Sequence, residues 1–116
     1  SQTQDEAILS RMLDYIHQNY RDNIMLNDLA DQFNISPKYC GILFKQLSDN
    51  NFKDYLNNYR INQARALLEK DPSLKTKDLS AMTGFNSSNT FIRVFSKYTG
   101  MTPQKYAEHV IDKAKK

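Results

Sequence analysis

A single cysteine, Cys40, stands among the 116 residues, with two histidines, three glycines and three prolines. One thiol excludes an intramolecular disulfide framework, and one cysteine with two histidines falls short of a structural zinc site. No cofactor is expected. A reducing compartment fits this cysteine usage, so the expected location is the cytoplasm. So few glycines and prolines leave little room for hairpins. No apolar run approaches the ~18 residues of a membrane span, and the start is not the basic-then-apolar start of a secretory signal. No membrane contact is expected of this segment. The sequence has no phosphate-binding glycine loop and no Ser/His/Asp or Cys/His order with short-range support, so an enzyme is not expected. Acidic residues are also absent from two stretches, 36–47 and 87–98.

The content that remains is ordinary for a small globular protein: 40% apolar and 25% charged. The length suits one small domain, or two subdomains sharing a helix, with a modest core. The formal charge of +3 is unevenly spread. Residues 1–35 carry two basic and six acidic side chains, a net of −4, which leaves +7 for residues 36–116. Such asymmetry points to an oriented surface for a polyanion, with a solvated lysine-rich exterior as the plainer alternative. The polar start, Ser1 to Glu6, reads as a tail or as the boundary of one piece of a longer protein.

The two acid-free stretches are related. Cys40, Leu43, Phe44 and Leu47 recur 51 positions later as Phe91, Val94, Phe95 and Tyr98. Their spacing of i, i+3, i+4, i+7 is one face of a helix. Around them the apolar periodicity is helical almost throughout. Helices are expected near 6–20 and 27–34, then from Ser36-Pro37 to about Leu47, over 51–70 and over 76–83. A sixth opens at Ser87 or Ser88 and ends at Gly100, and a seventh opens at Thr102-Pro103. Serine or threonine followed by proline is a cap-plus-first-turn signal, and Gly84 suits a left-handed helix end. Asn34-Ile35 is the short connection of a helix-turn-helix. Leu29, Ala30, Phe33, Leu79, Met82, Tyr106, Ala107, Val110, Ile111 and Ala114 are expected inward. The apolar stripe of the fourth helix drifts around its axis, from Phe52, Tyr55, Leu56 and Tyr59 to Ile61, Ala64, Leu67 and Leu68. A helix that buries different sides at its ends can join two small cores. The expected fold is therefore all-α, with helix-turn-helix subdomains at 1–50 and 71–116 and a linker helix at 51–70.

This pattern resembles the DNA-binding domain of the AraC/XylS family of bacterial transcription regulators. The resemblance covers nearly the whole chain. Its most specific stretch is Gly84-Phe85, Ser88, Phe91, Arg93, Phe95, Lys97 and Gly100-Met101-Thr102-Pro103 with Tyr106. Leu29-Ala30, Ile35-Ser36, Tyr39, Phe44-Lys45, Phe52, Tyr55-Leu56, Arg60-Ile61, Ala64 and Leu67-Leu68 carry it through the first half. It implies seven helices, with the third and sixth entering successive major grooves of double-stranded DNA. The geometry agrees: groove openings on one face recur every ~34 Å, and a helix of ~20 residues spans about 30 Å. There are departures. The family's glycine after the first recognition helix is Asp49, which leaves that turn open. Its frequent arginine after the last tyrosine is Ala107. Met25, Lys75 and Thr76 do not follow the usual opening of the second and fifth helices, and Thr76 could itself be the fifth helix's cap.

The outward face of the sixth helix carries Ser88, Asn89, Ile92, Arg93, Ser96 and Lys97. Arginine binds guanine O6 and N7 bidentately and asparagine pairs with adenine, so Arg93 is the leading base reader, with Asn89, Ser88 and Ile92 beside it. A solvated surface charge is the alternative for Arg93. The third helix offers Lys38, Gly41, Ile42 and Lys45. Lys38 is the expected polar reader there, and Ile42 can meet only a thymine methyl. Gly41 either lets the helix backbone approach the DNA closely or makes a small contact within the protein. Lys45, Thr76, Lys77 and Lys97 are the expected phosphate contacts, which position without reading sequence. Cys40 reads as core, His17 and His109 as surface or edge histidines, and Arg60 and Arg65 as members of intramolecular ion pairs. A monomer on an asymmetric site is expected, since no heptad seam is present. The rival reading is a helical protein-interaction module, with RNA polymerase as one candidate partner.

Overall fold

The computed structural model describes residues 2–115, without the side chains of Gln2 and Leu47. The last position of the first apolar stripe, Leu47, thus lies outside the description, as do Ser1 and Lys116. Seven helices follow in order: α1 (Gln2–Asn19), α2 (Leu26–Gln32), α3 (Pro37–Ser48), α4 (Phe52–Lys70), α5 (Thr76–Met82), α6 (Ser88–Thr99) and α7 (Pro103–Ala114). No strand occurs among the described residues, and the fold is all-α as expected. The chain forms two compact units, 1–57 and 58–116, so α4 contributes its first turns to one and the rest to the other.

Among the described residues, four helices open on side-chain caps. The Ser36, Ser87 and Thr102 hydroxyls accept the amides of Tyr39, Thr90 and Lys105, each at 3.1 Å, and Asn51 Oδ1 accepts that of Asp54 at 2.8 Å. Each such bond satisfies an otherwise orphaned amide and contributes about 1 kcal/mol. The cap of α6 is therefore Ser87, not Ser88. Thr76 is not a cap either: Lys75 holds that position in extended conformation and makes no side-chain capping bond. At α2 the roles are reversed. Met25 precedes the helix, and Asp28 Oδ2 accepts the Met25 amide at 2.8 Å.

The first unit buries Leu9, Met12 and Ile16 of α1, Leu29 and Ala30 of α2, and Cys40, Leu43 and Phe44 of α3. Phe44 meets Phe52 and Tyr55 edge-on, with centroids 5.9 and 5.5 Å away. The second unit repeats this plan. Ile61, Ala64, Leu68, Leu79, Phe85, Phe91, Val94, Phe95, Tyr106 and Ala107 form one buried cluster. Phe95 meets Tyr106 edge-on at 5.5 Å, as Phe44 meets Tyr55. In each unit that tyrosine also reaches a polar group of the unit's first helix: Tyr55 Oη lies 2.7 Å from His17 Nε2, and Tyr106 Oη donates to Glu69 at 3.4 Å. His17 is thus a partnered histidine, 38 residues from its partner, which its local sequence could not reveal.

Spacing between equivalent residues is not constant. Met12 and Ile16 correspond to Ala64 and Leu68 (52 apart), Leu29 to Leu79 (50 apart), and Phe44 to Phe95 (51 apart). The last change arises in the turns. Four residues (33–36) join α2 to α3, and five (83–87) join α5 to α6. Both turns pass through a left-handed residue, Asn34 at φ 56° and Gly84 at φ 90°. Both return an amide to the preceding helix at 3.1 Å, Ile35 to the Ala30 carbonyl and Phe85 to that of Ser80.

Two expectations change, and the turn left open at Asp49 takes a definite form. The polar start is not a tail: α1 begins at Gln2, and Asp5 in its first turn accepts a hydrogen bond from the Tyr39 hydroxyl of α3. A carboxylate is also favoured there by the helix dipole. Met82 and Ile111, each 40% exposed, and Ala114 are not inward. Met82 ends a seven-residue helix, and the buried place after it goes to Thr83, whose hydroxyl donates to the Leu79 carbonyl at 2.8 Å. Ile111 and Ala114 lie beyond Val110, the last α7 residue packed on the core. Finally, the turn after α3 matches the one after α6 despite Asp49. Asp49 adopts φ 62° where Gly100 has φ 77°. Equivalent hydroxyls brace both ends: Ser48 donates to the Phe44 carbonyl and accepts the Asn50 amide, while Thr99 donates to the Phe95 carbonyl and accepts the Met101 amide.

Left-handed backbone strains a non-glycine residue, and a carboxylate opposes the dipole at a helix C-terminus. Asp49→Gly is therefore expected to stabilise the protein by about 1 kcal/mol, seen as a higher urea midpoint with unchanged slope. A lower midpoint would show that the Asp49 side chain contributes more than the strain costs.

Candidate nucleic-acid interface

The buried stripe of α6, Phe91, Val94 and Phe95, fixes which side chains face away from the core. Asn89, Arg93 and Lys97 are exposed at spacings of four, one turn above another, while Ser88, Ile92 and Ser96 are half-buried along the edge. On α3 the stripe is Cys40, Leu43 and Phe44, which leaves Lys38, Ile42 and Lys45 exposed and Gly41 half-buried. Burial raises the Cys40 thiol above its usual range, and the sulfur lies 4.0 Å from that of Met12. Cys40 is core, as expected.

Equivalent outward positions carry different chemistry. Lys38, Gly41, Ile42, Lys45 and Gln46 of α3 stand where α6 has Asn89, Ile92, Arg93, Ser96 and Lys97. Gln46, exposed, and Leu26 of α2, half-buried, border the same face of the first unit and were missed from the sequence. The spacing of 51 from Gln46 to Lys97 signals the former. The tyrosine at the start of α3, Tyr39, is engaged: its hydrogen bond to Asp5 raises the phenol above its usual range. Of the remaining expected contacts, Lys77 is exposed and Thr76 half-buried at the start of α5.

Charge separates the units further. Residues 1–57 carry eight acidic and five basic side chains, a net of −3, and residues 58–116 carry five and eleven, a net of +6. Attraction for a polyanion is thus concentrated in the second unit. Arg60 and Arg65 are turned to the scaffold. Arg60 is buried with its guanidinium 5.7 Å from the Phe85 ring centre, and burial lowers its pKa. Arg65 lies 5.8 Å over Tyr106 and donates to its hydroxyl at 3.4 Å. An aromatic face meets each guanidinium. Among the described residues no cluster of three or more His, Cys, Asp or Glu could hold a metal, and no helix is long and apolar enough to cross a membrane.

A family described as a helix-turn-helix domain matches residues 29–109. The chain belongs to this AraC-type helix-turn-helix family. A domain of this family binds DNA within a transcription regulator and is not an enzyme. The chain is 36% identical over 98 residues to the melibiose operon regulatory protein of Escherichia coli K12, a match covering 84% of this chain and 32% of that protein. It thus spans about a third of the length of that curated relative. Among solved structures, the C-terminal domain of the two-component response regulator yesN from Fusobacterium nucleatum is 31% identical, with a TM-score of 0.80 over 84% of this chain and 95% of that one. The DNA-binding domain of AdpA, solved with a target DNA, shares the fold at a TM-score of 0.83 and 20% identity, over 87% of this chain and 90% of that one.

Membership gives Gly41 a test. A Cβ built there meets only Leu26 Cδ2, at an ordinary 3.6 Å. Packing within the protein therefore does not demand glycine, and Gly41→Ala is expected to stabilise α3 by about 0.5–1 kcal/mol. A thermal unfolding scan checks this. Raised stability with weakened DNA binding would place the α3 backbone against the duplex; raised stability with unchanged binding would leave the glycine without a role there.

Proposed function

We propose that the chain is the output domain of a bacterial transcription regulator that binds double-stranded DNA sequence-specifically, with α3 and α6 in successive major grooves. Lys38, Gly41, Ile42, Ser88, Asn89, Ile92 and Arg93 contact bases, and Lys45, Thr76, Lys77 and Lys97 contact phosphates. One observation carries the reading: Arg93 is exposed at mid-helix, directly opposite the buried Phe91 and Phe95, in a segment without an acidic residue. The same capped, acid-free helix in the first unit supports a second reading surface. The fold shared with AdpA, a domain solved on target DNA, is in keeping with it. The domain acts as a monomer on an asymmetric site in the cytoplasm, at the nucleoid.

Selection from random duplexes at two salt concentrations tests this. Two short motifs ~10 bp apart should be enriched, with affinity falling steeply as salt rises through counterion release. No enrichment, with binding indifferent to salt, would favour a protein-interaction module.

A further inference from the structure

The equivalent pair Ile42 and Arg93 sets an apolar side chain in one unit against a cation in the other. Ile42 is 45% exposed at the centre of the α3 outer face. With Leu26, Pro37 and Gly41 it lines a shallow apolar depression, and Lys38 and Lys45 stand one turn to either side. Between these lysines the outward stripe carries Gly41 and Ile42, so neither position offers a hydrogen-bonding side chain. The apolar feature on a base edge in the major groove is the C5 methyl of thymine, and 5-methylcytosine presents the same group. The apolar lining of this depression suits a methyl group, while Lys45 beside it suits a phosphate and Lys38 a neighbouring base edge. The acid-free helix repels neither.

We propose that the first unit selects its half-site through the C5 methyl of a pyrimidine seated on Ile42, whether thymine or 5-methylcytosine, while the second unit selects through hydrogen bonds from Arg93. This rests on the DNA-binding reading above and adds the chemical group recognised. At the pyrimidine seated on Ile42, specificity then belongs to methylation of the ring rather than to its hydrogen-bonding pattern. Replacing unmethylated cytosine by 5-methylcytosine strengthens binding there.

The test uses the whole chain and the duplex it enriches from a random library. Each thymine is replaced singly by 2′-deoxyuridine, which removes only the methyl. At the same positions the T·A pair is replaced by C·G or by 5-methylcytosine·G. Deoxyuridine should weaken binding about three- to tenfold at one or two positions of one half-site, the worth of about one buried methyl. There, 5-methylcytosine should bind more tightly than cytosine by a similar factor. In Ile42→Ala the thymine-to-deoxyuridine ratio should fall to about one, and in Arg93→Ala it should persist. Ile42 is exposed, and a thermal scan confirms that the variant folds. A ratio of one at every thymine in the unaltered chain, a ratio that survives Ile42→Ala, or two half-sites without thymine would each overturn the proposal. Failure to enrich any duplex would overturn the DNA-binding reading itself, and needs no modified base to detect.

Discussion

Arg93→Ala is expected to lower affinity for the enriched duplex about five- to 150-fold, the loss of 1–3 kcal/mol that accompanies removal of a bidentate guanine contact. The loss should be confined to duplexes that carry the preferred base pair. Variants of the site altered at that pair should bind the mutant and the unaltered protein alike, which makes the effect a relaxation of specificity. A phosphate contact behaves otherwise, weakening every duplex uniformly and flattening the salt dependence by about one unit of slope. Titrating a panel of duplexes altered at one pair each separates the two. Uniform weakening would reassign Arg93 to the phosphates. The fold should be untouched, because Arg93 is exposed and its helix is held by residues on the opposite side.

Phe95→Ala is expected to destabilise the protein by about 3–5 kcal/mol, a large share of the roughly 5–15 kcal/mol available to a domain. The ring is fully buried, 5.6 Å from Phe91 and edge-on to Tyr106 at 5.5 Å. Its removal leaves a cavity that two aromatic neighbours cannot readily fill. Tyr106 also receives a hydrogen bond from Arg65 and donates one to Glu69, so loosening the ring disturbs α4 and α7 together. Urea unfolding measures the loss, and amide exchange should place most of it within 58–116. A cost below about 1 kcal/mol would mean that the cluster repacks around the gap.

Helix order and the outward faces were legible because they rest on local signals: apolar spacing, Ser36-Pro37 and Thr102-Pro103 openings, and a second copy of the pattern. Arg93 and Ile42 could be placed from the sequence because a stripe of buried residues fixes its own opposite side. Features that depend on distant partners were not legible. The start of α1 is tied by Asp5 to Tyr39, 34 residues away, and His17 finds Tyr55 only in the folded unit. Periodicity assigns a side of the helix but not where the core ends, so Met82 and Ile111 were placed inward. The left-handed Asp49 was obscured because its residue type argues weakly for that backbone; the hydroxyl of Ser48 and the matching turn at Gly100 reveal it.

The unequal turns also govern how such a domain can be re-engineered. Exchanging α2–α3 for α5–α6 as a block of constant length would place one of the two joins a residue out of phase. One residue turns a helix by about 100°. A recognition helix grafted in that way would bring a lysine or arginine onto the hydrophobic cluster and send a phenylalanine into water. A chimera should therefore cut at Met25 and Lys75 on one side, at Asp49 and Gly100 on the other, and carry the extra residue with its own turn. The same rule holds for any exchange between such repeats: in phase, the buried stripe stays on the core, and shifted by one residue it is turned away by about 100°.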